Sequence, residues 1–299
     1  MNRKGPLAAA VPTHRRVVTL PGRGRTTIWE APGPPGAPVL LLLHGATLNA
    51  ELNWSGVINT LGRHYRVVAP DQRGHGDGPR CSVFRLEDCA DDAAALATEL
   101  GIDRFVAVGY SMGGFVAQLL WHRHRERVAG LVLCSTARNM CGSPWERSVA
   151  MLLPSAVATA AWFPALYPLG ADLIAAGLLD HDLGPAERSW ALAQMRRTTL
   201  RNALSTVQAV SAFSSHDWIG SVDVPAAAVL TRHDRVVPVR RQWKLARAIP
   251  GSTVIEVDGD HGVFVSSPGR FAAAVLAGCH AVCAGPVDEL DTEPTTTAS

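Results

Sequence analysis

Long apolar runs are missing from this chain of 299 residues, although 47% of them are hydrophobic. No stretch approaches the roughly 20 apolar residues that span a bilayer, so no integral membrane segment is expected. An excess of one charge is missing too: 28 Lys and Arg stand against 26 Asp and Glu, a formal net charge of +2. That balance removes the electrostatic case for nucleic acid or an anionic membrane as partner. The six cysteines, at 81, 89, 134, 141, 279 and 283, form no C-x-x-C pair and no zinc-type spacing. They read as the reduced thiols of a cytoplasmic protein, with Cys134, which ends an apolar run, packed as a small hydrophobe. Pro6-Leu7-Ala8-Ala9-Ala10-Val11 is too short for the apolar core of a signal peptide, and Pro12 and Arg15-Arg16 follow it. No cofactor and no metal is expected.

What is present is size and alternation. A chain of this length buries one large α/β domain or two small ones. Residues 1–14 read as an N-terminal arm. Val17-Val18-Thr19-Leu20 and Thr26-Thr27-Ile28-Trp29-Glu30 form an expected hairpin across Pro21-Gly22-Arg23-Gly24. Val39 to Leu43 is continuously apolar, as a strand buried on both faces should be. A short helix over Trp54–Leu61, a strand over Tyr65–Ala69, a helix over Leu86–Leu100, a strand at Phe105–Val108, a helix from Gly114 and a strand over Val128–Cys134 follow. This alternation predicts a mostly parallel, doubly wound sheet from residues 15–134 and 214–284. Between them, 135–213 is helical in character and apolar in its first half, with Pro185 to Phe213 a long helix or a broken pair. A helical insertion leaving the end of a strand is expected to cap the strand C-terminal ends, where ligands bind in such sheets. Strands resume at Ala226–Leu230 and Thr253–Val257. The acidic, Thr-rich stretch 285–299 reads as a disordered tail.

Gly109-Tyr110-Ser111-Met112-Gly113 reads G-x-S-x-G, with an expected strand running in and an expected helix running out. That is the context in which the pattern means a nucleophile elbow. A serine on so sharp a turn is strained, and a side chain at either flanking glycine would collide with strand or helix. In return the serine Oγ is exposed at a helix N-terminus, where the N–H of Met112 can face a developing oxyanion.

A serine hydroxyl needs a base, and the base a carboxylate to orient it. The histidines after Ser111 are 122, 124, 181, 216, 233, 261 and 280. His261 lies in the glycine-rich loop Asp258-Gly259-Asp260-His261-Gly262 after the last expected strand, which selects it as base. Asp234 is the sole carboxylate of Thr231–Pro238, the loop after the preceding strand, and is the candidate acid; a plain ion pair with Arg232 or Arg235 is its alternative. Asp258 and Asp260 are too near His261 in sequence, and Asp223 belongs to the other end of the sheet. The loop His44-Gly45-Ala46-Thr47 offers the N–H of Ala46 as second oxyanion donor. His44 is expected to brace that loop, not to catalyse. Asp71-Gln72-Arg73-Gly74-His75-Gly76 suits a tight, internally hydrogen-bonded turn better than a metal site.

Together these stretches resemble the α/β-hydrolase fold superfamily over about residues 15 to 284. The resemblance rests on His44-Gly45, Asp71 to Gly76, Gly109 to Gly114, Asp234 with Pro238, and Asp260-His261-Gly262. It implies an eight-stranded sheet whose second strand is antiparallel, a cap between strands six and seven, and a triad of Ser111, Asp234 and His261 with Ala46 and Met112 as oxyanion donors. Leu131 to Ala137 resembles, more weakly, the matching stretch of enol-lactonases and related esterases. Two positions depart from the family pattern: Thr231 where glycine is frequent, and Asp77 where serine is frequent. Serine as nucleophile argues against the dehalogenase and epoxide hydrolase branches, which use aspartate. The expected activity is hydrolysis of an ester, lactone or thioester whose apolar part meets Trp145, Trp162 and Phe163 of the cap. C–C bond hydrolysis, acyl transfer or cyclisation on the same scaffold, and a non-catalytic receptor, are the alternatives.

Overall fold

The computed structural model describes residues 13–141 and 184–284. Eight strands form a single sheet in the order β1-β2-β4-β3-β5-β6-β7-β8. They span His14–Leu20, Gly24–Ala31, Val39–Leu43, Arg66–Pro70, Phe105–Tyr110, Val128–Cys134, Ala226–Thr231 and Thr253–Val257. β2 is antiparallel to both β1 and β4, and every other pairing is parallel.

The leucines of β3 show how sequence becomes layers. Successive side chains of a strand point to opposite faces. Leu41 and Leu43 enter one half of the core, with Phe115 and Trp121; Leu40 and Leu42 enter the other, with Trp54 and Phe271. All four are at most 1% exposed. Each such burial contributes about 1.5–3 kcal/mol, which accounts for the uninterrupted apolar run. On the first face lie α2 (Leu86–Glu99) and α3 (Met112–Arg123); on the second, α1 (Ala50–Leu61) and the last helix. The first turn of α2 carries Glu87 and Asp88, which favour a helix N-terminus. Helix α1 begins four residues before its expected start, because Asn49 caps it: Oδ1 accepts the Leu52 N–H at 2.8 Å.

The segment Pro185 to Phe213 is a broken pair, α4 (Pro185–Met195) and α5 (Leu200–Ala212), with Thr199 capping the second. A bridge of Asn139 to Ser214 and Ser215 N–H on Arg138 C=O tie the chain that leaves β6 to the chain that leaves α5. Side chains of this segment reach the loops after β3 and β4. Asn49 Nδ2 donates to Gln194 Oε1 at 2.7 Å, and Asn202 Nδ2 donates to Gly74 C=O at 2.9 Å. Asp77, the departure from the family pattern, binds Arg15 at 2.8 Å and also Arg197. It thereby links the turn after β4 to β1 and to α4's end. Three short or late elements complete the fold: α6 (Val239–Ala246), α7 (Val263–Ser266) and α8 (Pro268–Cys283). All six cysteines are free thiols, and Cys134 is buried among apolar neighbours as expected. Among the described residues no helix is long and apolar enough to cross a membrane.

Candidate active site

β5 runs directly into Ser111, and α3 starts at the next residue. Ser111 has φ 52° and ψ −115°, a conformation that costs a non-glycine residue about 1–3 kcal/mol. Three hydrogen bonds hold it there. Its N–H donates to Cys134 C=O at 2.9 Å, and its C=O accepts Gly114 N–H and Thr136 Oγ1, each at 2.9 Å. The flanking glycines are required by contact. A Cβ on Gly109 would lie 2.2 Å from Gly113 O, and one on Gly113 would lie 2.0 Å from Leu43 O. The turn is closed on the helix side at one glycine and on the β3 side at the other.

The loop after β3 lies against this turn. A Cβ on Gly45 would come within 3.4 Å of Ser111 Cβ. Gly45 N–H is held by Asn53 Oδ1 at 2.9 Å. Among the described residues, the N–H groups of Ala46 and Met112 have no hydrogen-bond partner. Met112 follows Ser111 directly and Ala46 follows Gly45; donors without a partner among the described residues suit a charge that appears only during reaction.

His261 and Asp234 converge on the serine. His261 Nε2 is 2.9 Å from Ser111 Oγ, and Nδ1 is 2.7 Å from Asp234 Oδ2. An ionised carboxylate only accepts, so Nδ1–H donates to Asp234 and Nε2 is left with its lone pair toward Ser111. His261 is 4% exposed and Asp234 7%. Below them, the hydroxyl of Tyr110 donates to the C=O of His261. The Tyr110 ring packs edge-on against Phe264 and Phe271, at 5.3 and 5.4 Å between centroids. The strand that carries the elbow thus also anchors the loop that carries the base. Burial pushes the Tyr110 phenol well above its ordinary range, so it acts as a neutral donor.

Several of the competing residues are engaged elsewhere. Arg232 turns to Glu256 at 3.5 Å. Asp258 meets His233 at 3.0 Å and Arg270 at 3.3 Å, and Asp260 Oδ1 accepts Gly262 N–H. Asp223 binds Arg125 and Trp121. His122 stacks on Trp218 at 4.3 Å, and His280 bonds Tyr65 at 2.9 Å. His124 pairs with Asp91 at 2.9 Å.

His44 and the turn after β4 form a second polar cluster. His44 Nε2 accepts Gln72 N–H at 2.9 Å, and Nδ1–H donates to Gly45 C=O at 2.8 Å. Burial lowers His44 to about 4 and His75 to about 3, so both are neutral near pH 7. Asp71 accepts Ala50 N–H and Asp77 N–H, each at 2.8 Å. Among the described residues no group of three or more His, Cys, Asp or Glu side chains is arranged to hold a metal ion.

Three residues at the acid escaped the sequence reading. Thr231 Oγ1 and Gln242 Nε2 both donate to Asp234 Oδ2, at 2.7 and 3.1 Å, and Ser135 Oγ lies 3.2 Å from Thr231 Oγ1. The signal for Thr231 was its departure from glycine three residues before the acid. Trp145, Trp162 and Phe163 lie outside the described residues.

A sequence model described as the alpha/beta hydrolase fold matches residues 38–268. The "Putative carbamate hydrolase RutD" of Agrobacterium fabrum is 28% identical over 80% of this chain and 92% of its own. A thermophilic esterase from Thermogutta terrifontis superposes with a TM-score of 0.74 at 24% identity, over 90% of this chain and 99% of its own. The enol-lactonase of Burkholderia xenovorans gives 0.69 at 24% identity, over 88% and 99%. These two solved structures share the fold.

Proposed function

The chain belongs to the alpha/beta hydrolase fold family, and from that premise we propose that it is a serine hydrolase. Its substrate is a carboxylic ester, lactone or thioester with an apolar part, cleaved through an acyl-enzyme on Ser111. One observation carries the proposal: the unbroken line from Ser111 Oγ through both nitrogens of His261 to Asp234, at 2.9 and 2.7 Å.

The chemistry follows from that line. Ser111 Oγ attacks the carbonyl carbon while His261 Nε2 takes the hydroxyl proton. Asp234 holds the ring in the required tautomer and stabilises the imidazolium. The carbonyl oxygen becomes an oxyanion and takes the N–H groups of Ala46 and Met112, which have no partner to give up among the described residues. Collapse breaks the bond to the alcohol or thiol, which leaves with the proton from His261. Water, activated by the same nitrogen, then cleaves the acyl-enzyme. We place the protein in the cytoplasm, on its free thiols, and take residues 135–213 as the cap that closes over the acyl group. The bonds of α4 and α5 to the loops after β3 and β4 support that placement. The Agrobacterium relative's name adds the carbamate, whose carbonyl is open to the same attack.

The test is turnover of a series of p-nitrophenyl esters of increasing acyl length, with lactones and an aryl carbamate alongside. The parent should hydrolyse at least one class, and Ser111→Ala should lose about 10⁶-fold in kcat. A Ser111→Ala protein that retains the activity sinks the proposal. In ¹⁸O-water, hydrolysis places the label in the acid product, whereas acyl transfer to a second substrate leaves it unlabelled.

A further inference from the structure

Asp234 is bound on both oxygens, and unevenly. Oδ1 accepts two backbone N–H groups of its own loop, Val236 at 2.9 Å and Val237 at 2.7 Å. Oδ2 accepts three side chains: His261 Nδ1 at 2.7 Å, Thr231 Oγ1 at 2.7 Å and Gln242 Nε2 at 3.1 Å. The backbone donors would be there for any residue mix in the loop. The two added side-chain donors come from the end of β7 and from the inner face of α6, and they meet on the oxygen that His261 uses.

Both donors are themselves fixed. Gln242 Oε1 accepts the backbone N–H of Thr231 at 3.0 Å, which sets the amide so that Nε2 faces Asp234 and Val237 C=O. The reversed amide would set two donors against each other. Thr231 is fully buried and Gln242 is 2% exposed. A carboxylate held at one oxygen can still rotate about its last bond, since that torsion is broad. Pinning the second oxygen removes that freedom.

We propose that Thr231 and Gln242 are positioning residues for the acid: they fix Asp234 Oδ2 in the plane of the His261 ring and so aim Nε2 at Ser111. The inference rests on the triad reading above. It also gives the departure at Thr231 a purpose, since glycine there would supply no hydroxyl.

The experiment compares Thr231→Val, Thr231→Ser and Gln242→Met in the full chain, with Asp234→Asn as reference, on a short p-nitrophenyl ester. Valine keeps the shape and deletes the hydroxyl; serine keeps the hydroxyl. Thr231→Val should lower kcat about tenfold, the worth of one hydrogen bond to a charged group, with KM within about twofold. Thr231→Ser should recover most of that loss, and Gln242→Met should lose about as much as valine. The low-field proton resonance of His261 Nδ1–H should move in Thr231→Val and return in Thr231→Ser. Thr231→Val with unchanged kcat and an unmoved resonance overturns the inference, as does Thr231→Ser no better than valine. If Thr231→Val does not fold, full kcat in Gln242→Met overturns it as well. Asp234→Asn separates the two levels: full activity there refutes the triad itself, whereas an inactive Asp234→Asn beside fully active Thr231 and Gln242 variants refutes only the positioning.

Discussion

Two clusters of aspartate and histidine stand at the C-terminal ends of neighbouring strands, and they are wired differently. In one, Asp71, His44 and His75 direct their bonds to backbone groups. Asp71 binds two N–H groups, His44 a C=O and an N–H, and His75 the C=O of Arg73. In the other, His261 bridges two side chains, one of which is a serine held at positive φ and followed directly by Met112, whose N–H has no partner among the described residues. Residue types do not separate these clusters; connectivity does. A buried histidine whose two nitrogens end on backbone braces a loop. One that links a carboxylate to a hydroxyl can move a proton.

The sharpest way to break this contrast is at the acid. Asp234→Asn should cost about 10⁴-fold in kcat through the wrong imidazole tautomer. Urea unfolding of the same variant should show a folded protein, which separates chemistry from stability. Full turnover by a folded Asp234→Asn would put the two clusters in one class.

The second prediction concerns pH and the bracing cluster. Burial holds His44 at about 4 against an ordinary 6.5. The unfolded chain therefore takes up a proton below about pH 6.5 that the folded chain refuses. Stability contributed by neutral His44 is full above pH 6.5, falls as pH drops toward 4 and is flat below. The loss amounts to about 3 kcal/mol. His75, held at about 3, extends the decline further. Asp71 works in the opposite direction, because burial raises its carboxyl and the folded state takes that proton first. Urea midpoints at pH 7.5 and 4.5 should differ markedly in the parent and less in His44→Gln, which stays neutral at both. Equal shifts in parent and variant would remove His44 from the account.

The smallest effect is expected at Asp71→Asn. It should cost about 1–3 kcal/mol by setting an amide donor against Ala50 or Asp77 N–H. The kcat of the remaining folded protein should be unchanged. A drop in kcat at full stability would show that the bracing cluster takes part in the chemistry.

How much of this was legible in the sequence depends on whether a feature is local. The apolar run of β3, the elbow glycines and the loop positions of His261 and Asp234 announce themselves, because strand burial, steric closure and topology each act over a few residues. The start of α1 was missed although its signal was local: Asn49 as a cap. Asp77 had no reading, because its partners Arg15 and Arg197 lie 62 and 120 residues away. Gln242 was invisible for a related reason. It sits in the charged helix α6, and only packing shows that residue 242 faces inward with Leu245 and Ala246.

The most direct test of the central claim is covalent. A fluorophosphonate probe reacts with a serine only where a base and an oxyanion site activate it. After brief exposure of the native protein, peptide mass spectrometry should place the adduct on Ser111, and His261→Gln should abolish it. An adduct on another residue, no adduct on the native protein, or undiminished labelling in His261→Gln would contradict the account.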